Sequence, residues 1–531
     1  VAGTVFAMAA IFVAARLAKS LEGHWGAASM GTAALIAGCS ALALWSTGGL
    51  ETAMFTFFVT AGLERALAPH VAERGRAWAP LFLAAAALTR PEGALFFMLW
   101  MVIRIWDWKS SSVALPAEEP IAAPPSNRKP PRSLVRDALL FMAPMTIYAA
   151  WKLWYFGDLL PNTYYAKAGF TQEYIVRGIA YTKEFFLAYG AFGIVPALAV
   201  YAALRGGLRS VEARLLFVWL AFALYIVWIG GDVLYTHRFW LPILPIGCVL
   251  VARGLVLALN RRLPIAKSLA VIATIVMLVT WGMSSNWKSI QTRRDLEQHF
   301  VTNMQLTGSW LKNHFPPGST IAITTIGAIS YFSELKVIDL LGLTDYEIAH
   351  HPKPLPKLTD SWREINYNAE SIIARRPDAI LFSTGVRPSS AAEKALFFYA
   401  NFQDTYYAYY FRSTPERTGI QTIFRVRPDA PPVDLALLPV KSIDFIDEYS
   451  EGHLAQTIRG DSKTAAQYFE NSYRLSGEKF RSAKEWWGST LYDLGDPKGL
   501  QILQEVASQD PYAMIAILRL GDAALRHGSL A

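Results

Sequence analysis

The chain has 531 residues, of which 53% are hydrophobic and only 17% are charged. A soluble protein would carry charge on about a quarter of its residues, so the composition argues against an ordinary soluble enzyme. The net charge of +8 does not indicate a nucleic-acid partner, because the basic residues gather in short connections between apolar segments instead of forming a stripe. Cys39 and Cys248 each lie inside an apolar run, which argues against a disulfide framework or a thiolate metal site.

Apolar segments follow one another up to about residue 283 and predict an α-helical polytopic membrane domain of about ten spans, since roughly 20 mostly apolar residues cross a bilayer. The pair that flanks Arg90 and Pro91 is predicted as either a re-entrant pair or one kinked unit. Val1 opens directly into an apolar segment without a basic region before it, so we do not expect a signal peptide. The predicted spans are Ala2–Ala18, Gly26–Trp45, Glu51–Leu67, Trp78–Leu88, Ala94–Trp106, Ala138–Phe156, Phe185–Leu204, Leu215–Ile229, Leu241–Leu259 and Leu269–Met283.

The connections between these spans form two sets that alternate along the chain. One set is basic, and the positive-inside rule places it in the cytoplasm. The other set then lies outside, together with everything after Ser284. The basic set contains Arg16, Lys19, Arg65, Arg74, Arg76, Arg104, Lys109, Arg128, Lys129, Arg132, Arg136, Arg205, Arg209, Arg214, Arg261, Arg262 and Lys267.

Three further segments complete the predicted organisation. Residues 109–133 are rich in Pro, Ala and Ser and are predicted to be a disordered cytoplasmic linker. Residues 284–445 alternate between helical and strand patterns, which predicts a small extracytoplasmic α/β domain, with strands near 320–325, 336–340, 379–382 and 418–426. Residues 446–531 are amphipathic and helical; two tetratricopeptide-like helix pairs would fit there, and they could contact an envelope protein or a glycan.

Four of the predicted outer loops carry polar residues where plain turns would suffice. They are Trp45–Thr52 with Glu51, Leu88–Gly93 with Arg90 and Glu92, Trp154–Lys167 with Asp158, Asn162, Tyr164, Tyr165 and Lys167, and Trp228–Phe239 with Asp232, His237 and Arg238. Ionisable residues at the edge of a membrane are costly and usually functional.

Many of these residues also have a purely structural explanation. Glu51 could be an acid at a helix N-terminus, Arg90 could pair internally with Glu92, and Asp232 could follow a simple helix exit. An aromatic belt explains Tyr164 and Tyr165. It does not explain Asp158, Asn162 and Lys167 together.

Taken together, the loops offer both carboxylates and cations, which suits an anionic ligand that is rich in hydroxyl groups. Cations hold phosphate through charge-assisted hydrogen bonds, and carboxylates hold or deprotonate sugar hydroxyls. His237 has no partner at metal-ligand spacing, so neither a metal site nor a cofactor is predicted.

The ordered set of motifs resembles the polytopic GT-C glycosyltransferases, closest to the AftB-like group of bacterial terminal arabinofuranosyltransferases. The motifs are Gly-Leu-Glu-Thr, Thr-Arg-Pro-Glu-Gly, Gly-Asp-Leu-Leu-Pro-Asn-Thr-Tyr-Tyr-Ala-Lys and Gly-Gly-Asp followed by Arg-Phe and Leu-Pro. The likeness runs from Val1 to about Leu259 and continues at Asp339–Asp345.

This resemblance implies a sugar donor on a polyprenyl phosphate and inverting transfer to a glycan, lipid or protein acceptor. Transfer would occur on the outer face of the bacterial cytoplasmic membrane. Arg90, Lys167 and Arg238 are expected to contact the donor phosphate. The residues expected to contact the sugar or to support the site are Glu51, Glu92, Asp158, Asn162, Tyr164, Tyr165, Asp232 and His237.

One departure from the family concerns the catalytic acid. The family carries an acidic pair in the first outer loop, and this sequence begins at what resembles a later span. We therefore expect either that this loop lies outside the sequence or that the protein is a non-catalytic scaffold, like the flagellar-motor-control relatives. No carboxylate here is assigned as the catalytic base. A transporter would need charges at mid-depth and internal repeats, neither of which is clear in the sequence.

Overall fold

The computed structural model describes residues 1–111, 132–166, 172–189, 194–234, 236–259, 265–358, 366–413 and 420–526. Contacts divide the chain into two compact units. The N-terminal unit contains Val1–Leu159 and Thr171–Asp295, and the C-terminal unit contains Leu160–Phe170 and Leu296–Ala531. Most of the predicted linker lies outside the described residues, and its two ends belong to helices.

All regular secondary structure in the described part of the chain up to His314 is helical. The helices are α1 (Ala2–Glu22), α2 (Ala27–Ala37), α3 (Ser40–Thr47), α4 (Thr52–Leu67), α5 (Glu73–Arg76), α6 (Ala79–Thr89), α7 (Gly93–Ser111), α8 (Arg132–Phe156), α9 (Asn162–Ala166), α10 (Gln172–Tyr189), α11 (Ile194–Gly206), α12 (Val211–Trp228), α13 (Leu244–Ala258) and α14 (Ile265–His314), with a 3-10 helix at Arg238–Ile243.

Among the described residues, three helical segments are long and apolar enough to cross a membrane: Ala2–Glu22, Val211–Trp228 and Arg238–Ala258. A fourth is possible if α2 and α3, which are bent by 58° at their junction, form one span. Some of the other predicted spans form shorter helices, such as α4 with 16 residues. The total of about ten spans stays a prediction.

The predicted span Phe185–Leu204 stays a prediction. Its first residues lie in α10, which ends at Tyr189, and its later residues lie in α11, which begins at Ile194. Residues 190–193 lie outside the described residues.

Several helices of the N-terminal unit present large apolar side chains outward. Met8, Met30, Ile147, Leu224 and Ile272 are each more than half exposed. Apolar surface of this kind is costly in water and favourable against lipid. It supports the prediction of a membrane domain.

The C-terminal unit contains a sheet of five strands. They are β1 (Thr320–Ile323), β2 (Lys336–Asp339), β3 (Ala379–Leu381), β4 (Tyr406–Phe411) and β5 (Gln421–Val426), in the order β2-β1-β3-β5-β4. The first three in this order are parallel, and β5 is antiparallel to both of its neighbours. The predicted α/β character is confirmed, and four strands lie within predicted segments. The sequence prediction missed β4.

Helices cover the sheet and continue to the end of the described chain. They are α15 (Ala328–Ser333), α16 (Tyr346–His350), α17 (Ala369–Arg375), α18 (Ala391–Leu396), α19 (Ala400–Thr405), α20 (Phe445–Thr457), α21 (Ser462–Leu475), α22 (Arg481–Asp493), α23 (Pro497–Gln509) and α24 (Met514–Arg526). Phe445, Phe469 and Phe480 share one hydrophobic core with Ile380 and Phe424 of the sheet. The boundary predicted at residue 445 is therefore crossed by a common core, and the division there stays a prediction.

The stability of the C-terminal unit should fall as the pH rises from about 4.5 to about 7. Burial of the Glu485 carboxyl group, on α22, raises its pKa from 4.5 to about 7. Between these pH values the unfolded chain releases a proton that the folded unit keeps. The free energy of unfolding therefore falls by about 3 kcal/mol across this pH range. Glu485→Gln, which keeps an acceptor for the Ala516 N–H, should flatten this dependence. Hydrogen exchange of α22 and α24 against pH measures it; an unchanged profile in the variant would contradict the assignment.

Candidate functional site

Charged residues from two of the four predicted outer loops meet at Arg90. This arginine ends α6, and its Nη2 lies 3.3 Å from Oε1 of Glu92 while its Nη1 lies 3.6 Å from Oε1 of Glu51. Only 13% of the Arg90 side chain is exposed. The internal Arg90–Glu92 pair considered as a structural explanation is thus present, and Glu51 from the first loop joins it.

The fourth loop contributes a second ion pair with closer geometry. Arg238 donates from Nε to Oδ2 of Asp232 at 2.8 Å and from Nη2 to Oδ1 at 3.2 Å. Gly230 and Gly231 precede this pair with φ angles of +79° and +72°, which glycine adopts without strain. A Cβ on Gly231 would also come within 2.6 Å of the Tyr181 ring. The glycines therefore allow the turn that carries Asp232 to its partner.

The two ion pairs are joined by an aromatic ring. The guanidinium carbon of Arg90 lies 4.9 Å from the centre of the Phe239 ring, and that of Arg238 lies 5.3 Å from it. Trp45, from the first loop, lies 5.5 Å from Arg238. Cations are attracted to such ring faces. We call Glu51, Arg90, Glu92, Asp232, Arg238 and Phe239 the arginine cluster.

The arginine cluster keeps hydrogen-bonding capacity for a ligand. Arginine has five N–H donors in a fixed fork, and Asp232 uses two of the groups on Arg238. Within the described part of the chain, Oε2 of Glu92 is buried and has no hydrogen-bond partner. The cluster can therefore present cationic donors to a ligand.

His237 is adjacent to the arginine cluster in sequence, but its ring packs elsewhere. It lies 5.4 Å from the ring of Tyr181, 5.8 Å from that of Phe185 and 5.6 Å from that of Tyr189. Thr236 and His237 have φ angles of +63° and +56°, so two successive residues are left-handed. This turn directs the imidazole among aromatic rings, and its expected role in ligand contact stays a prediction.

The third loop is divided between the two units. Asp158 follows α8 in the N-terminal unit, whereas the segment from Leu160 belongs to the C-terminal unit. There, Oδ1 of Asn162 lies 3.3 Å from Nε2 of His350, and the Tyr165 ring lies 3.9 Å from the His350 ring. Tyr164 packs edge-on against Tyr165.

Lys167 lies outside the described residues. The assignment of Asp158, Asn162, Tyr164, Tyr165 and Lys167 to ligand contact stays a prediction. No signal in the sequence links His350 to Asn162.

A second set of buried ion pairs lies at the opposite end of α4. Glu51 precedes the first residue of α4, and Glu64, near its end, bonds Arg16 at 2.9 and 3.0 Å. Thirteen residues of helix separate the two acids by about 20 Å. The Arg16–Glu64 pair lies at the end of α4 that is predicted to face the cytoplasm. The arginine cluster lies at the end that is predicted to face outward. The assignment of these two ends to opposite faces of a membrane stays a prediction.

Comparisons with known proteins add little that bears on this site. Residues 289–424 match a family model described as a domain of unknown function, DUF8728. No curated protein matches the chain. Among solved structures, the chain is similar to the Archaeoglobus fulgidus oligosaccharyltransferase in its complex with zinc and sulfate. The identity is 10%, the TM-score is 0.40, and the match covers 93% of this chain and 73% of the other. A TM-score of this size supports neither a shared fold nor a shared activity.

Proposed function

We propose that this chain is a membrane glycosyltransferase that moves a sugar from a polyprenyl-phosphate donor to a cell-envelope acceptor. The single observation that carries this proposal is the arginine cluster, in which three loops bring two arginines together around one aromatic ring. The resemblance of the same motifs to GT-C glycosyltransferases supports it. In the proposal, transfer takes place on the extracytoplasmic face of the bacterial cytoplasmic membrane.

The chemistry of a lipid-linked donor fits the position of the arginine cluster. A polyprenyl phosphate keeps its isoprenoid chain among apolar side chains and its phosphate at the interface with water. Arg90 and Arg238 lie at helix ends, beside apolar and aromatic residues. Charge-assisted hydrogen bonds from a guanidinium are among the strongest contacts that a phosphate can receive.

The carboxylates of the arginine cluster have a positioning role in this proposal. Asp232 is 2% exposed and holds Arg238 by two hydrogen bonds, while Glu51 and Glu92 flank Arg90. An arginine held in this way loses little rotamer freedom when the phosphate binds. None of these carboxylates is assigned as the catalytic base.

Arg90→Ala and Asp232→Ala should each lower sugar transfer by about 100-fold or more, because each removes or misplaces a donor to the phosphate. Transfer is measured in membranes that carry each variant, with radiolabelled arabinofuranose, mannose or glucose supplied on polyprenyl phosphate. The control is Arg294→Ala, because Arg294 forms an ion pair with Asp295 that is about two-thirds exposed. Full transfer in both test variants would refute the site assignment.

A charge-swapped variant separates phosphate binding from a scaffold role. In Asp232→Arg with Arg238→Asp, an ion pair can form again with its charges exchanged. A scaffold that needs only the ion pair would keep its melting temperature and its assembly partners. A phosphate site would stay folded and lose transfer, because the cation has moved away from the Phe239 ring. Retained transfer in the swapped variant would contradict the proposed role of Arg238.

A further inference from the structure

The α/β part of the C-terminal unit contains a pocket of about 320 Å³. Its walls come from residues 300–307 of α14, from the carboxyl ends of β1 and β3 with the residues that follow them, and from the start of β5. We call it the sheet-edge pocket. Its lining includes Phe300, Asn303, Thr307, Thr325, Ser383, Thr384, Gln421 and Thr422. Ligand pockets in proteins begin at about this size.

Sheet topology explains why a pocket forms at this position. The strand order β2-β1-β3 means that the chain leaves β1 in one direction for β2 and then returns past β1 to β3. The two connections that leave the carboxyl ends of β1 and β3 therefore diverge. A crevice at such a switch point is where open α/β sheets bind ligands.

A buried carboxylate fixes the walls of the crevice. Glu393 is fully buried and accepts hydrogen bonds from Oγ1 of Thr324 at 2.5 Å, from the Ser383 N–H at 3.0 Å and from the Ser390 N–H at 3.1 Å. Thr324 follows β1, and Ser383 follows β3. Glu393 thus ties the two diverging connections together, so the pocket is formed before any ligand arrives.

The lining of the pocket selects a class of ligand. Hydroxyl and amide side chains form one part of it, and apolar side chains such as Met304, Ile329 and Ile420 form the rest; none of the described residues that line it is charged. Oδ1 of Asn303 is buried and has no hydrogen-bond partner among the described residues. An anionic ligand would need a cation in the lining, whereas a neutral polyol can use each of these donors and acceptors. The exposed ring of Phe300 offers an apolar surface to the C–H face of such a ligand.

We propose that the sheet-edge pocket binds a neutral saccharide. The amide of Asn303 and the hydroxyl groups of Thr325, Ser383 and Thr384 would hydrogen-bond the sugar hydroxyls, and Phe300 would pack against the ring. This binding does not depend on whether the arginine cluster transfers a sugar, since the two sets of residues lie in different units. It gives the C-terminal unit a glycan-binding role of its own.

Saturation-transfer NMR on the full chain tests the binding. The chain is kept in a detergent without a sugar headgroup, and the probes are the methyl glycosides of arabinofuranose, galactofuranose, mannose and glucose, with glucose 1-phosphate as the charged probe. We expect at least one neutral glycoside to bind with a Kd of about 1 mM, and glucose 1-phosphate to bind more weakly. No binding by any neutral glycoside, or a preference for glucose 1-phosphate, would overturn the proposal.

Three substitutions in the pocket show where the glycoside binds. Thr325→Val keeps the side-chain shape and removes a hydroxyl, Asn303→Leu removes the amide whose oxygen has no partner among the described residues, and Phe300→Ala removes an exposed ring. Each should weaken binding about tenfold. The control Thr302→Val, on the same helix but outside the lining, should bind as the unchanged chain does, and so should Arg90→Ala. Undiminished binding in Thr325→Val and Phe300→Ala, which leave the core intact, would refute the pocket as the binding site.

Discussion

Asp510→Ala should lower the free energy of unfolding of the C-terminal unit by about 3–5 kcal/mol, the usual cost of leaving one charge of a buried pair without its partner. Asp510 ends α23 and accepts two hydrogen bonds from Arg427, at 2.8 Å from Nη1 and 2.6 Å from Nη2. The side chains are 9% and 11% exposed. Arg427 directly follows β5, so the pair ties the sheet to the last helices. Loss of the Asp510 carboxylate leaves the Arg427 guanidinium buried against Tyr512 without a counter-charge.

The Asp510 prediction has a dependence on pH that a lost packing contact would not show. Burial raises the pKa of Asp510, and the hydrogen bonds from Arg427 and the Tyr512 N–H oppose burial, so that the pKa lies below its ordinary value of 3.8. A carboxyl group with a lowered pKa stabilises the fold above its unfolded pKa and loses that contribution as the pH falls through the folded value. The difference between the unchanged chain and Asp510→Ala should therefore shrink below about pH 3.8.

Hydrogen exchange of α23 and α24 in the full chain measures both effects. The matched control is Asp493→Ala, which breaks a pair with Arg519 at 2.6 Å whose side chains are each 33% exposed. A pair that is exposed to this extent contributes about 1 kcal/mol or less. Equal loss of protection in the two variants would show that the burial of the Arg427–Asp510 pair has no special effect.

Much of the fold of the C-terminal unit follows from local sequence patterns. The strands β1, β2, β3 and β5 carry apolar residues bounded by turn residues, and each lies within a segment predicted from that pattern. The missed strand, β4, reads Tyr-Tyr-Ala-Tyr-Tyr-Phe and has no alternation of apolar and polar residues. Among the described strands it pairs with β5 alone. Its strand state depends on that neighbour, which a local pattern does not reveal.

The arginine cluster could be predicted only in part. Loop chemistry identified Glu51, Arg90, Glu92, Asp232 and Arg238, because charges are costly beside apolar helices. The pairing of Arg90 with Glu51 and the shared Phe239 ring depend on how α4 packs against the 3-10 helix, which sequence spacing does not encode. For the same reason the contact of Asn162 with His350 could not be foreseen, since the two residues are 188 positions apart.

The same limit applies to Glu64, which the sequence shows only as an acid inside an apolar helix. In the structure Glu64 is fully buried. It accepts hydrogen bonds from Arg16, from Nε at 2.9 Å and from Nη2 at 3.0 Å. Arg65 lies 3.2 Å from Oε2, and His70 lies 3.3 Å from Oε1. One carboxylate therefore contacts partly buried guanidinium groups from α1 and α4 and the His70 imidazole in the connection after α4.

Glu64→Ala should destabilise the N-terminal unit by about 3–5 kcal/mol, because Arg16 and Arg65 keep their charges after their shared partner is gone. Glu64→Gln keeps an acceptor for one guanidinium and should cost less. Arg16→Gln should also cost less than Glu64→Ala, since Arg65 still neutralises the acid. The measurement is unfolding of the full chain in mixed micelles, followed by tryptophan fluorescence, with Arg294→Ala as the exposed control.

A double-mutant cycle decides whether the Arg16–Glu64 contact itself carries the effect. If it does, Arg16→Gln combined with Glu64→Gln should cost clearly less than the sum of the two single changes, because the second substitution removes a charge that the first has left without its partner. Strict additivity would mean that Glu64 acts through Arg65 and His70 instead. Because this carboxylate joins α1 to α4, and α4 carries Glu51 at its other end, we expect a coupled pair to hold the helix that presents Glu51 to Arg90.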